Sequence, residues 1–455
     1  MIYSRETDDQ AIPLFPVQAS EYARWLENAP DHHQRWLSSA GFQAMPGSWS
    51  GLPDETGRME AIVFCMDDQG WLYQLAKLPS VLPAGVFRLV SVWNEDQRIQ
   101  ACIGWGLASY RFERYKISKK ARPVLSLEED IADTVENVFT AVSLVRDLVN
   151  TPTENMGPKD LADAVISEGD FFGAQVEIVK GDDLLSENYP AIHAVGRASD
   201  EAPRFIRLTW GDKNAPLLAL VGKGVCFDTG GLDIKPSSGM ITMKKDMGGA
   251  AHVIALARLV MQYKLPVHLM VLIPAVENSI SGNAYRPGDI IQTRKGLTVE
   301  IGNTDAEGRV VLADGLAYAC EHLPDLIIDF ATLTGAARVA LGADLPAIFS
   351  NRVEIAQAIT DSGDRVEDPL WVMPLYQPYK KQIESEIADL NNVGKTSFGG
   401  CITAALFLEH FVDNDTPWVH IDTFAWNQSH RPGRPAGGEA MGLRAVFNFL
   451  RERYG

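Results

Sequence analysis

Leu217-Leu-Ala-Leu-Val221-Gly-Lys223-Gly-Val-Cys-Phe-Asp228-Thr-Gly-Gly-Leu-Asp-Ile-Lys235-Pro236 opens with five apolar residues and turns at once into a glycine-rich, charged stretch. The apolar run reads as a strand buried on both faces, and the glycines that follow permit tight backbone turns. The charges recur at intervals that are neither helical nor alternating, as in a loop folded around something. Comparable apolar runs lie at 175–179, 205–210, 267–273, 326–330 and 418–422, with helical stretches at 248–263, 307–322 and 401–413 among them. That alternation predicts an α/β domain with a mostly parallel sheet flanked by helices. Active sites in such sheets gather at the carboxyl ends of the strands.

Upstream, Ser126-x-x-Glu129 forms a capping box, and Ile131, Val135, Val138, Val142, Val145 and Val149 recur at helical spacing. One long helix is expected, ending at Asn150-Thr-Pro152 because proline disfavours helix at the residue before it. It divides the chain into a small N-terminal α/β domain, 1–125, and a larger C-terminal catalytic domain, 126–455, with 126–150 as the linking helix. The N-terminal part holds six of the ten Trp and short strand-like runs at 61–65 and 87–93, and carries no evident chemistry.

A net charge of −18 makes polyanions poor partners, so nucleic acid and anionic membranes are disfavoured. Five widely spaced Cys with no C-x-x-C pair fit reduced thiols rather than a disulfide framework. The polar, acidic start lacks the pattern of a signal peptide, and no apolar stretch is long enough to span a bilayer. A cytoplasmic enzyme is the expectation.

Three polar loops follow strands or precede helices: 222–236, Met243-Lys-Lys-Asp246-Met-Gly-Gly, and Gly302-Asn-Thr-Asp305-Ala-Glu307-Gly-Arg309. They supply four carboxylates, Asp228, Asp246, Asp305 and Glu307, which would repel one another in a single cleft. Divalent cations remove that conflict, and four carboxylates suit a pair of ions better than one. Such a pair activates water and polarises a carbonyl, the two needs of amide hydrolysis. Lys244 and Lys245 read as surface charges, Cys226 as packing and His252 as a core histidine.

These motifs, above all Asn303-Thr-Asp-Ala-Glu-Gly-Arg309, resemble the leucyl aminopeptidase (cytosol aminopeptidase) family. The similarity runs over roughly 145–450, through Arg146-Asp-Leu-Val-Asn-Thr-Pro152, Ala331-Thr-Leu-Thr-Gly335 and Trp418-Val-His-Ile-Asp422, and leaves the N-terminal part unmatched. It implies a metal-dependent exopeptidase that removes residues from the free amino end of peptides, with leucine-type or broad specificity. One ion, zinc or manganese, would be held by Asp228, Asp305 and Glu307, the other by Lys223, Asp228, Asp246 and Glu307. Lys235 would polarise the scissile carbonyl, and Arg309 would hold a bicarbonate ion. Met243, Thr332 and Gly335 would form the pocket for the first side chain, and the subunits would assemble as hexamers.

Family members carry small residues after the Asp matching Asp422, whereas this chain reads Thr423-Phe-Ala-Trp-Asn427, so Phe424 and Trp426 are expected to reshape that pocket. A DNA-binding regulatory role and a metal-free scaffold on the same fold are the alternatives.

Overall fold

The computed structural model describes residues 1–5, 11–67 and 70–455. They form two compact units, one of 1–143 with 429–436, the other of 144–428 with 437–455.

The first unit is built on a six-stranded sheet ordered Tyr3–Ser4, Pro123–Ser126, Gly85–Leu89, Ile12–Val17, Met59–Cys65, Trp49–Pro53. All neighbours are parallel except the Trp49–Pro53 edge strand, which runs antiparallel to Met59–Cys65. Its helix Glu95–Ser109 starts at a capping box in which Asn94 accepts the Gln97 N–H and Gln97 accepts the Asn94 N–H, each at 3.0 Å.

The helix foreseen from the heptad-like valines spans Glu129–Asn150, 22 residues. Its inward positions Ile131, Val135, Val142, Val145 and Val149 are buried, which fits its one-sided apolar pattern.

In the second unit the strands Trp418–Asp422, Leu326–Ala331, Leu217–Gly222 and His268–Asn278 lie side by side and parallel, with Val221 opposite Leu272 and Gly222 opposite Phe330. They read as continuous apolar runs because helices cover both faces. Ala347–Ser350, Arg204–Trp210 and Gln175–Lys180 add antiparallel neighbours toward the edges, so the sheet is mixed, with its parallel strands at the centre. Helices Gly248–Gln262 and Glu307–Cys320 are buried almost throughout. Within the second, Asp314 is fully buried and accepts the N–H groups of Ala191, Ile192 and Arg294 at 2.9, 3.2 and 2.8 Å. His252 packs in the core as expected, its Nδ1 2.6 Å from the Gly248 carbonyl and its Nε2 accepting the Met441 N–H at 2.9 Å.

All five cysteines are buried and unpaired with one another, and burial pushes their thiols up, that of Cys102 to about 12. No helix of the described residues is long and apolar enough to cross a membrane.

Candidate metal centre

Lys223 sits at a break between two strands. The stretch after it, read from sequence as loop, is partly strand: Gly224–Asp228 pairs in parallel with His268–Asn278 and carries a register shift between Val225 and Phe227. Charge and glycine content concealed it. The peptide of Lys223 is held on two sides, its N–H donating to the Phe330 carbonyl at 3.1 Å and its carbonyl accepting the Ala250 N–H at 2.8 Å. Glycine at 249 is required by this approach, since a Cβ there would lie 2.1 Å from the Phe330 oxygen and 2.9 Å from the Lys223 nitrogen.

The side chain of Lys223 is 3% exposed, and its Nζ lies 2.7 Å from Asp246 Oδ2, 2.9 Å from Glu307 Oε1 and 2.9 Å from the Thr332 carbonyl. Lys235 Nζ lies 2.7 Å from Asp228 Oδ2 and pairs with Asp305 Oδ1. Asp228 Oδ1 accepts from the Gly230 N–H and from Asn278 Nδ2, both at 2.8 Å. The same Asn278 amide donates to the Thr304 carbonyl at 3.0 Å, tying the strand end to the loop that carries Asp305 and Glu307. Thr332 Oγ1 donates to Asp246 Oδ1 at 2.8 Å.

A cleft of about 530 Å³ opens at these strand ends, and Lys223, Asp228, Lys235, Met243, Asp246, Asp305, Glu307, Thr332 and Gly335 all line it. Phe424 and Trp426 line it too, as the sequence departure suggested. Arg309 is the exception among the expected residues, for it is not part of the cleft wall. It lies in the first turn of Glu307–Cys320, buried, with Nη1 donating to the Asn392 carbonyl at 2.8 Å. Burial pulls its guanidinium down to about 10.

Whether this donor set fits divalent ions can be judged from its own electrostatics. Oxygens of Asp228, Asp305 and Glu307 all lie within 4.8 Å of one another. Burial, then the charge of Asp246, pushes Asp228 up to about 6, and burial, then Asp228, pushes Glu307 up to about 8. Asp246 Oδ2 and Asp305 Oδ1 are buried and take lysine ion pairs but no hydrogen bond among the described residues. Burial works against the Lys223 ammonium, yet Asp246 and Glu307 more than offset it and hold its proton firmly. Among the described residues only two ammonium groups, Lys223 and Lys235, pair directly with these four carboxylates at 2.9 Å or less, and hard oxygen donors with one amine suit borderline or hard divalent cations.

One charge was misread. Lys245 is buried at 5% exposure rather than a surface residue, because the turn Met243–Met247 carries it into the cleft wall, and burial pulls its ammonium down to about 8. Lys244 is half-buried, with Nζ donating to the Asn150 carbonyl at 2.6 Å. Arg338 lines the same cleft and was not singled out from sequence, since a lone Arg on a short helix carries no signal. In the first unit, His32 and His33 place Nε2 at 3.0 and 3.1 Å from Glu60 Oε2, and those contacts account for their clustering.

The family model of the cytosol aminopeptidase catalytic domain matches residues 143–447, two thirds of the chain. The chain belongs to the cytosol aminopeptidase family. A model of the M17 aminopeptidase N-terminal domain matches 12–127, giving the N-terminal part the relative that its sequence motifs did not reveal. A probable cytosol aminopeptidase of Syntrophotalea carbinolica is 42% identical over 376 residues, 78% of this chain and 75% of that one. Peptidase B of Pectobacterium carotovorum is 41% identical over 361 residues, 76% of this chain and 83% of that protein. Among solved structures, the cytosol aminopeptidase of Coxiella burnetii superposes with a TM-score of 0.97 at 48% identity, covering 100% of this chain and 99% of that one. The bottromycin maturation enzyme BotP in complex with Mn gives 0.87 at 31%, covering 98% and 100%. The chain is accordingly a metal-dependent aminopeptidase, a hydrolase acting on peptides, and nothing supports the DNA-binding or scaffold alternatives.

Proposed function

We propose that the cleft holds two divalent ions, zinc or manganese, one on Asp228, Asp305 and Glu307 and the other on Lys223, Asp228, Asp246 and Glu307. The observation that carries this reading is the convergence of all five side chains on one cleft at the strand ends. When bound, such a pair activates water and polarises the scissile carbonyl. Lys223 would hold the second ion as a neutral amine, its proton passing to solvent, and the divalent charge would then replace its ammonium in neutralising Asp246 and Glu307. Lys235, beside Asp228 and Asp305, keeps its proton and presents it to the oxygen on which negative charge develops. Asp246 offers its carboxylate to the free amine of the substrate, the feature that makes release proceed from the amino end.

Arg309 is the residue proposed for a bicarbonate ion. Its Nε–H is buried without an acceptor among the described residues, a donor left over for an anion. Met243, Thr332 and Gly335 receive the first side chain of the peptide. Hexamer formation and a cytoplasmic location complete the proposal; light scattering on the purified chain and cell fractionation test them.

The decisive experiment strips the protein of metal and assays release of amino acids from dipeptides and anilides after adding back Zn²⁺, Mn²⁺, Co²⁺ or Mg²⁺. Activity restored by an ion in wild type but not in Glu307→Ala is the expected result. Failure of every ion to restore release would overturn the assignment.

A further inference from the structure

The cleft wall holds more positive charge than its metal chemistry uses. Lys223 and Lys235 are matched by the four carboxylates, but Lys245 and Arg338 are not. Lys245 Nζ stands 4.9 Å from the centroid of the Phe424 ring, and the Arg338 guanidinium carbon stands 4.7 Å from the same centroid. One aromatic ring therefore gathers two cations on the wall that also carries Met243, Thr332 and Gly335. Arg338 reaches the pocket residue directly, since a Cβ built on Gly335 would meet its Nη2 at 3.8 Å.

Neither cation has a free carboxylate to itself. The carboxylate near Lys245 is Asp246, whose Oδ1 is 4.0 Å away and already accepts from Thr332 Oγ1 at 2.8 Å, while its Oδ2 pairs with Lys223 at 2.7 Å. Among the described residues no carboxylate oxygen lies within 4.0 Å of the Arg338 guanidinium. A ring face attracts a cation but satisfies none of its N–H donors. Lys245 is nearly sealed from water as well, which makes an unmatched charge there costly. An aliphatic first residue would cover these donors without pairing them. A carboxylate side chain would pair them with charge-assisted hydrogen bonds, the strong class.

We infer that this enzyme selects peptides whose first residue is acidic, glutamate or aspartate, with Arg338 and Lys245 receiving the side-chain carboxylate on the Phe424 platform. The inference rests on the proposed site for the first side chain. It also assigns a purpose to the bulky Phe424, which narrows the pocket against branched aliphatics while holding the two cations in place.

The test compares kcat/KM of the ion-loaded full chain on anilides of Glu, Gln, Leu, Met and Lys. Gln is the neutral isostere of Glu, so their ratio isolates charge. Glu is expected to exceed both Gln and Leu by about 10- to 100-fold, the worth of one or two bonds to charged groups. In Arg338→Gln, at an exposed position that spares the core, the Glu:Gln ratio should fall severalfold through a rise in KM for Glu. Lys245→Met should lower it further. Arg338→Glu should turn the preference toward Lys, a reversal no merely structural role would produce. Wild-type release of Leu or Gln as fast as Glu overturns the inference and leaves the aminopeptidase reading standing. Release of no residue with any ion overturns that reading, and the inference with it.

Discussion

A single methyl group placed behind Lys223 tests whether the position of its amine matters. Gly308 follows Glu307 on the first turn of its helix, and a Cβ there would lie 2.6 Å from Lys223 Cε, 2.7 Å from Nζ and 2.8 Å from Cδ. Unstrained contacts need about 3.5 Å or more, so the lysine must retreat by roughly 1 Å. A flexible lysine in open solvent would simply swing aside. This one is buried, with three acceptors within 2.9 Å, and cannot move without lengthening those bonds. Misplacement of about 1 Å at a reacting centre costs about 10²-fold in rate, equivalent to about 2.7 kcal/mol. Overpacking adds a stability loss of about 1–3 kcal/mol. Gly308→Ala is therefore expected to lower kcat/KM about a hundredfold, with reduced ion retention after gel filtration, measured at saturating Mn²⁺ below the melting temperature. Gly282→Ala, whose added Cβ meets nothing within 4 Å, is the control and should behave as wild type. A Gly308→Ala enzyme within about threefold of wild type would refute the claim that Lys223 is locked in place.

Other outcomes follow from features away from that contact. Arg146 and Glu439 form a buried bidentate pair, Nε to Oε1 and Nη2 to Oε2 both at 3.0 Å, with Asn427 donating to Glu439 at 2.6 Å. Glu439→Ala should cost about 3–5 kcal/mol and lower Tm by roughly 6–10 °C in calorimetry, whereas a surface pair such as Lys159–Asp163 should cost under about 1 kcal/mol when broken. His252 is held below its ordinary pKa by burial, so the unfolded chain takes up the proton first as pH falls. Its contribution is present above about pH 6.5 and lost below it, and urea titrations should show a shallower acid decline in His252→Gln than in wild type. Chelation should abolish peptide release and lower Tm, because ions present at a hundredfold above Kd stabilise the folded state by about 2.7 kcal/mol. Glu307→Gln should show a smaller chelator effect on Tm; an equal shift in both would place the stabilising ion elsewhere.

The central strands were legible because burial on both faces writes a continuous apolar run, as in 217–221, 326–330 and 418–422. The strand Ala347–Ser350, one in from the edge, was not, since four residues carry too little pattern to stand apart from a helix segment. The four carboxylates stand out in polar, glycine-rich loops, Lys223 enters through the family resemblance, and all five line one cleft. Lys245 was missed for a physical reason: a lysine beside another lysine reads as a solvated pair, and only the turn at Met243–Met247 shows that one points inward and the other toward Asn150. Arg309 shows the limit from the other side. Its motif sets it two residues after Glu307, but the carbonyl to which its Nη1 donates belongs to Asn392, 83 positions away, which sequence alone cannot bring near.

The five buried cysteines have a practical corollary. With every native thiol sealed in the core and its pKa raised, the exterior of the chain is silent toward maleimides and methanethiosulfonates under mild conditions. A cysteine introduced at Ile241, 80% exposed and close to the cleft, would then be a single chemical address on the natural background. Spin labels attached there would report the spacing between copies of the chain in solution by dipolar spectroscopy. The same anchor would let a fluorophore follow entry of a peptide into the cleft in real time.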